Sequence, residues 1–167
     1  LAAIRKSVLL EFYGRNNSGG SESATDPLFA TASAGVATGP DGLSSALSLV
    51  EDTNNVYHVT RFNPCPNGTQ GNPYTFAFGA KADTRTKLFV NTTATNNGGS
   101  PTIIDLSNGT VHTAGSGRTV TIEDIGNGWY WIGVTWTITG TPISDARACI
   151  GLVNGSNATS YAGDGAS

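Results

Sequence analysis

The sequence predicts an all-β fold, and three observations carry that expectation. Charged residues make up only 13% of the 167 residues while glycine alone contributes 22, a composition that suits turns and short strands and starves helices. Short runs rich in Val, Ile, Thr, Phe, Tyr and Trp recur between turn signals at intervals of about 8–12 residues. No segment carries a 3.6-residue apolar period. About eight to ten strands at that spacing form a β-sandwich or a closed barrel.

Ser7–Tyr13 reads as a first strand, followed by a polar Gly/Ser/Asn-rich loop over Gly14–Asp26. Ala30–Ala37 is the next strand. It ends in Gly39-Pro40-Asp41-Gly42, a turn in which proline presets φ and glycine accepts a positive one. Ala46–Val50 and Val56–Phe62 flank a polar connection, and Pro64–Pro73 is a loop dense in Pro, Gly and Asn. Tyr74–Ala80 alternates, with Tyr74, Phe76 and Phe78 on the inward face. Lys87–Thr92 and Thr102–Leu106 follow, separated by an Asn/Gly tip at Thr95–Ser100. Ser107-Asn108-Gly109-Thr110 is a hairpin turn of the Asn-Gly type. Val111–Thr113, Thr119–Ile125, an Asn127-Gly128 turn, Trp129–Thr139 and Arg147–Asn154 complete the strands.

Thr119–Thr139 is the most informative stretch. Period-2 alternation sends Tyr130, Ile132, Val134, Trp136 and Ile138 to one face, which is a core face. Trp129, Trp131, Gly133, Thr135 and Thr137 fall on the other. Two tryptophans on an otherwise hydroxyl-rich outer face form a candidate sugar platform, because pyranose rings lay their C–H faces on flat apolar rings. Trp131 and Trp129 are therefore the candidate stacking residues. Thr135, Asn91, Asp105 and Arg118 are the candidate hydrogen-bonding neighbours, since amides, carboxylates and guanidinium groups offer paired polar atoms to sugar hydroxyls.

Other chemistries find little support. A net charge of −3 lacks the basic stripe that nucleic acid requires. No apolar run approaches the ~20 residues that span a bilayer, and Arg5 and Lys6 interrupt any signal-peptide core. His58 and His112 have no ligand spacing, and Cys65 and Cys149 form either one disulfide or two separate thiols. Glu123 and Asp124 are adjacent, so a strand points them to opposite faces; Glu11, Glu22 and Glu51 fall in unrelated segments. No carboxylate pair of the glycosidase kind is legible, and no Gly-x-Ser-x-Gly, P-loop or HExxH pattern occurs. The expectation is a non-catalytic protein. Sequons such as those at Asn67, Asn91, Asn108 and Asn157 follow from an Asn/Thr-rich composition. The chain has no methionine and begins at Leu1, which is expected of a processed chain or of a segment of a longer polypeptide.

Several segments in order resemble a β-sandwich module of bacteriophage tail fibres and tailspikes, related to concanavalin-like lectins and carbohydrate-binding modules. They are Ala37-Thr38-Gly39-Pro40-Asp41-Gly42, Leu49-Val50-Glu51-Asp52-Thr53, Tyr74-Thr75-Phe76 through Lys81-Ala82, and Ile104-Asp105-Leu106-Ser107-Asn108-Gly109-Thr110-Val111. Ile122-Glu123-Asp124-Ile125-Gly126-Asn127-Gly128-Trp129-Tyr130 and Ser160-Tyr161-Ala162-Gly163-Asp164-Gly165 complete the match. The resemblance implies a two-sheet antiparallel jelly-roll over residues 30–167, with residues 1–29 as an N-terminal strand and linker. It implies a virion-surface, extracellular location and an oligomer within the virion. The partners would be surface polysaccharide or other virion proteins, with no nucleic acid and no membrane.

Two departures matter. Trp131 stands where such modules usually carry a polar residue, and the chain stops where they continue into a closing strand. Ser7–Tyr13, or a strand of a neighbouring subunit, is expected to fill that slot. Lectin-like sandwiches also pin turns with calcium, for which Asp164 and Asp41 are the candidate ligands. The expected function is glycan binding by a phage appendage. The alternatives are a capsid-decoration or fibre-assembly domain, and the carbohydrate-binding module of a secreted bacterial enzyme.

Overall fold

In a computed structural model, which describes residues 7–11, 26–28, 30–44, 46–62, 70–92, 100–137 and 148–164, all the regular structure is strand. The strands are β1 Ser7–Glu11, β2 Asp26–Leu28, β3 Ala30–Ala37, β4 Ala46–Glu51, β5 Asn55–Tyr57, β6 Val59–Phe62 and β7 Pro73–Ala82. They continue with β8 Lys87–Thr92, β9 Thr102–Asp105, β10 Thr110–Thr113, β11 Arg118–Gly126, β12 Trp129–Thr137, β13 Ala148–Leu152 and β14 Ser160–Ala162. One six-stranded sheet has the order β11-β12-β7-β1-β4-β3, a second has β10-β9-β8-β13-β6-β2, and β14 pairs with β5 in a small ribbon. Every pairing is antiparallel.

Alternation builds the core from both sheets. The first supplies Val8 and Leu10 from β1, Leu47 and Leu49 from β4, Phe78 and Ala80 from β7, and Ile132 and Val134 from β12. Leu88, Val90, Ile104, Ile150 and Leu152 of the second sheet join the same cluster. The result is an all-β, β-sandwich-like fold whose centre is the apolar layer shared by these faces. On the opposite face of the second sheet, Val59, Phe89, Ile103, Cys149 and Val153 form a smaller buried cluster.

β1 occupies an interior position, with Leu10 opposite Leu47 on one side and Ala80 on the other. The N-terminal strand is thus paired along both edges. Two three-residue strands, β2 and β14, were not legible in the sequence, because three residues are too few to show a period. Val56–Phe62, expected as one strand, divides at His58: β5 pairs with β14, whereas β6 pairs with β13 and β2. Of the expected elements, Ile138, the tip at Thr95–Gly99, Cys65 and Arg147 lie outside the described residues.

The Asn108-Gly109 turn forms where expected, and the structure adds a reason for its glycine. Gly109 has φ +64, and a Cβ there would run into the Tyr130 ring. Gly109→Ala should therefore destabilise the protein by about 1–3 kcal/mol, read as a lower urea midpoint. Gly155→Ala, at a position with open space around it, should stay within about 0.5 kcal/mol of wild type.

Candidate functional site

The outer face of the first sheet carries the site. β11 and β12 are joined through Gly126, Asn127 and Gly128, with φ of 89, 55 and 78. The register shifts between Asp124 and Gly126, so the chain bulges at Ile125 beside the Trp129–Tyr130 step. On β12, Trp131 lies opposite Glu123 of β11 and Gly79 of β7.

The β3–β4 turn meets this hairpin because of register. Ala46 pairs with Ala37 and follows the row Leu47–Leu10–Ala80–Tyr130 by one residue, so Trp131, opposite Gly79, stands level with the end of β4 from which the β3–β4 turn leaves, while the β11–β12 turn leaves the sheet at the other end. Three hydrogen bonds brace the β3–β4 turn. Gly39 N–H donates to the Leu43 carbonyl at 2.7 Å, Gly42 N–H to the Gly39 carbonyl at 3.1 Å, and Leu43 N–H to Asp41 Oδ1 at 2.9 Å. It reaches across the sheet face, and Pro40, Asp41, Ile125 and Trp131 line an open depression of about 400 Å³. Trp131, half-buried, is the aromatic residue among these four. Further along the same face, Thr135 and Thr75 share a hydroxyl hydrogen bond of 2.7 Å.

The remaining candidates are placed elsewhere. Trp129 is 1% exposed, so it is a packing residue and presents no ring face to solvent. Arg118 pairs with Trp136, on the inner face, and its guanidinium donates to the carbonyls of Val90 and Ser100, each at 3.1 Å, and to Asn91 Oδ1 at 2.8 Å. Arg118 and Asn91 therefore meet each other, not Trp131, and tie an edge of one sheet to the other. Burial pulls the Arg118 pKa below the usual arginine value. Asp105 sits on β9 in the second sheet, accepting from Ser107 N–H at 2.9 Å and Ser107 Oγ–H at 2.6 Å, with Lys87 at 3.9 Å. Burial pushes its pKa up, but the Ser107 hydrogen bonds and the Lys87 charge outweigh this and hold it low. Of the six binding candidates, Trp131 and Thr135 share the outer face. Asp41, expected as a calcium ligand, is the residue that joins Trp131 at the depression.

Asp41 and Asp164 lie toward opposite ends of β4 and do not share a site. Asp41 caps its own turn, and the Asp164 carboxylate stands 3.9 Å from the Arg85 guanidinium. Among the described residues no group of three or more His, Cys, Asp and Glu side chains is arranged to hold a metal ion. The Cys149 thiol donates to the Asn91 carbonyl at 3.4 Å, while Cys65 lies outside the described residues.

Sequence reasoning missed a buried polar cluster at the Glu51 end of β4. The Glu51 carboxylate accepts from Arg85 Nε at 3.1 Å and Nη2 at 2.8 Å, from Tyr161 O–H at 2.7 Å and from Asp164 N–H at 2.9 Å. Its side chain is 1% exposed. Burial raises its pKa, but the hydrogen bonds from Arg85, Asp164 N–H and Tyr161, with the Arg85 charge, more than offset that and hold it below the ordinary glutamate value. Burial and the Glu51 carboxylate push the Tyr161 phenol far up, so it stays a donor. His58, fully buried, sets Nε2 3.1 Å from the Tyr161 carbonyl and Nδ1 3.4 Å from Asp52 Oδ1. With four donors the carboxylate is saturated. It is a structural anchor rather than an acid or base. Only the conjunction of Glu51, Arg85 and Tyr161 in space reveals it, and they lie in three separate segments.

No protein-family model matches the chain, and no curated protein is significantly similar to it.

Glu51→Ala, which removes the buried carboxylate and leaves the half-buried Arg85 with only Asp164, at 3.9 Å, as a carboxylate partner among the described residues, should cost about 3 kcal/mol of stability at neutral pH. Because the folded-state pKa of Glu51 is depressed, its contribution is present above the unfolded value and is lost as pH falls through the folded one. Wild type should therefore lose its advantage over Glu51→Gln progressively below pH about 4.3. Urea titrations of both proteins across that range check the sign.

Proposed function

We propose that the chain is a non-catalytic, glycan-binding surface domain of a virion, built as a two-sheet antiparallel jelly-roll, with the Trp131 depression as its binding site. The observation that carries this reading is the conjunction of Trp131 with Pro40, Ile125 and Asp41 in one open depression. Stacking needs an apolar ring face held rigidly, and orientation needs a polar group beside it. Both are supplied by two hairpin turns anchored on one sheet. The ordered resemblance to phage tail-fibre and tailspike modules supports the virion assignment. A depression this open buries little of a sugar, so each site binds weakly and several copies on one particle raise the avidity.

The test is binding of the purified protein to a panel of bacterial surface polysaccharides, with Trp131→Ala alongside. The expected outcome is measurable binding to at least one glycan. It should weaken about tenfold or more, ~1.4 kcal/mol, in a variant with unchanged circular dichroism. A folded wild-type protein that binds no glycan overturns the reading and moves the depression to a capsid-decoration or fibre-assembly contact.

A further inference from the structure

The charges around Trp131 narrow the ligand. Asp41 lines the depression with the ring. Glu123 is exposed and directly opposite Trp131 across the β11–β12 pair, a placement that brings Cβ atoms within about 4.5–5.5 Å. Asp41 commits Oδ1 to the Leu43 N–H. Neither Asp41 nor Glu123 has a cationic partner among the described residues. Lys81 lies on that face among the described residues; it pairs with Trp129 two residues nearer the turn, its aliphatic stem running beside Gly128. Asp124, opposite Tyr130, belongs to the other face of the strand pair, with Oδ1 accepting from Gly126 N–H at 2.8 Å. The aromatic surface is thus bracketed by the Asp41 and Glu123 carboxylates.

Resting on the glycan-binding reading, we propose that the site selects a sugar bearing a free amino group. The pyranose face stacks on Trp131 and the ammonium meets Asp41 or Glu123. A carboxylate beside a flat ring favours this ligand twice, through charge-assisted hydrogen bonding and through attraction of a cation near the ring. The same carboxylates repel uronic-acid, sulfated or phosphorylated polysaccharides and gain nothing from an N-acetylated sugar.

Three oligosaccharide classes of equal length separate the possibilities by calorimetry: glucosamine oligomers, their N-acetylated counterparts and galacturonate oligomers. The glucosamine oligomers should bind best and the galacturonate oligomers worst, with the difference shrinking as salt is raised. Asp41→Asn and Glu123→Gln should each reduce the preference for the amino form over the N-acetylated form by about two- to fivefold. In Asp41→Asn the side-chain amide oxygen can still accept from Leu43 N–H, so the turn survives that change. The inference is overturned if the N-acetylated or anionic oligomers bind as well as the amino form, or if both variants leave the preference intact. In that event, sensitivity of the remaining binding to Trp131→Ala preserves the glycan reading. If no oligosaccharide of any class binds, both fall together.

Discussion

The buried carboxylate of Glu51 is the constraint on which the arrangement of this molecule rests. It terminates β4 on the inner face, where a charge would be costly if left unanswered. Four donors converge on it from Arg85 between β7 and β8, from Tyr161 in β14 and from the Asp164 backbone. Arg85 also lies 5.3 Å from the centre of the Tyr161 ring, and that ring belongs to the main core cluster. One side chain thereby couples the first sheet to the C-terminal segment. The fit is tight: a side chain at Gly163 would run into the Asp52 carbonyl.

The other end of β4 does different work. There the chain turns through Gly39-Pro40-Asp41-Gly42 and leans over the sheet to Trp131. β4 is thus pinned at Glu51 and free to present a turn at Ala46, and the strands between the two turns, β1 and β7, are held by core residues. The proposed recognition surface is assembled from these two parts. Its shape is set by register, because a slip of one residue would exchange Trp131 for a core-facing neighbour.

The division of labour among polar residues follows from how many partners each has. Glu51 and Arg118 spend their hydrogen-bonding capacity inside the protein, and Asp105 spends its own on a turn and on Lys87. Asp41 and Glu123 are exposed, and an exposed carboxylate adds little to stability; in the proposed reading they serve recognition. On that reading the negative charge beside the ring sets specificity, since it would reject anionic ligands as well as attract cationic ones.

Local chemistry determined the fold class, most strand positions, the turns at Gly39–Gly42, Asn108-Gly109 and Asn127-Gly128, and the core face of β12. These depend on alternation and on backbone preferences of single residues, which a linear sequence displays. The outward position of Trp131 and Thr135 was legible for the same reason. Tertiary structure alone decided that Trp129 is buried although it shares their parity, and that Arg118 and Asn91 bridge the sheets. It also decided that Asp41 joins Trp131, and that Glu51, Arg85 and Tyr161 form one network. Each of those outcomes depends on which strands become neighbours and which turns reach which strands. That ordering arises from long-range pairing and packing, to which no local period points.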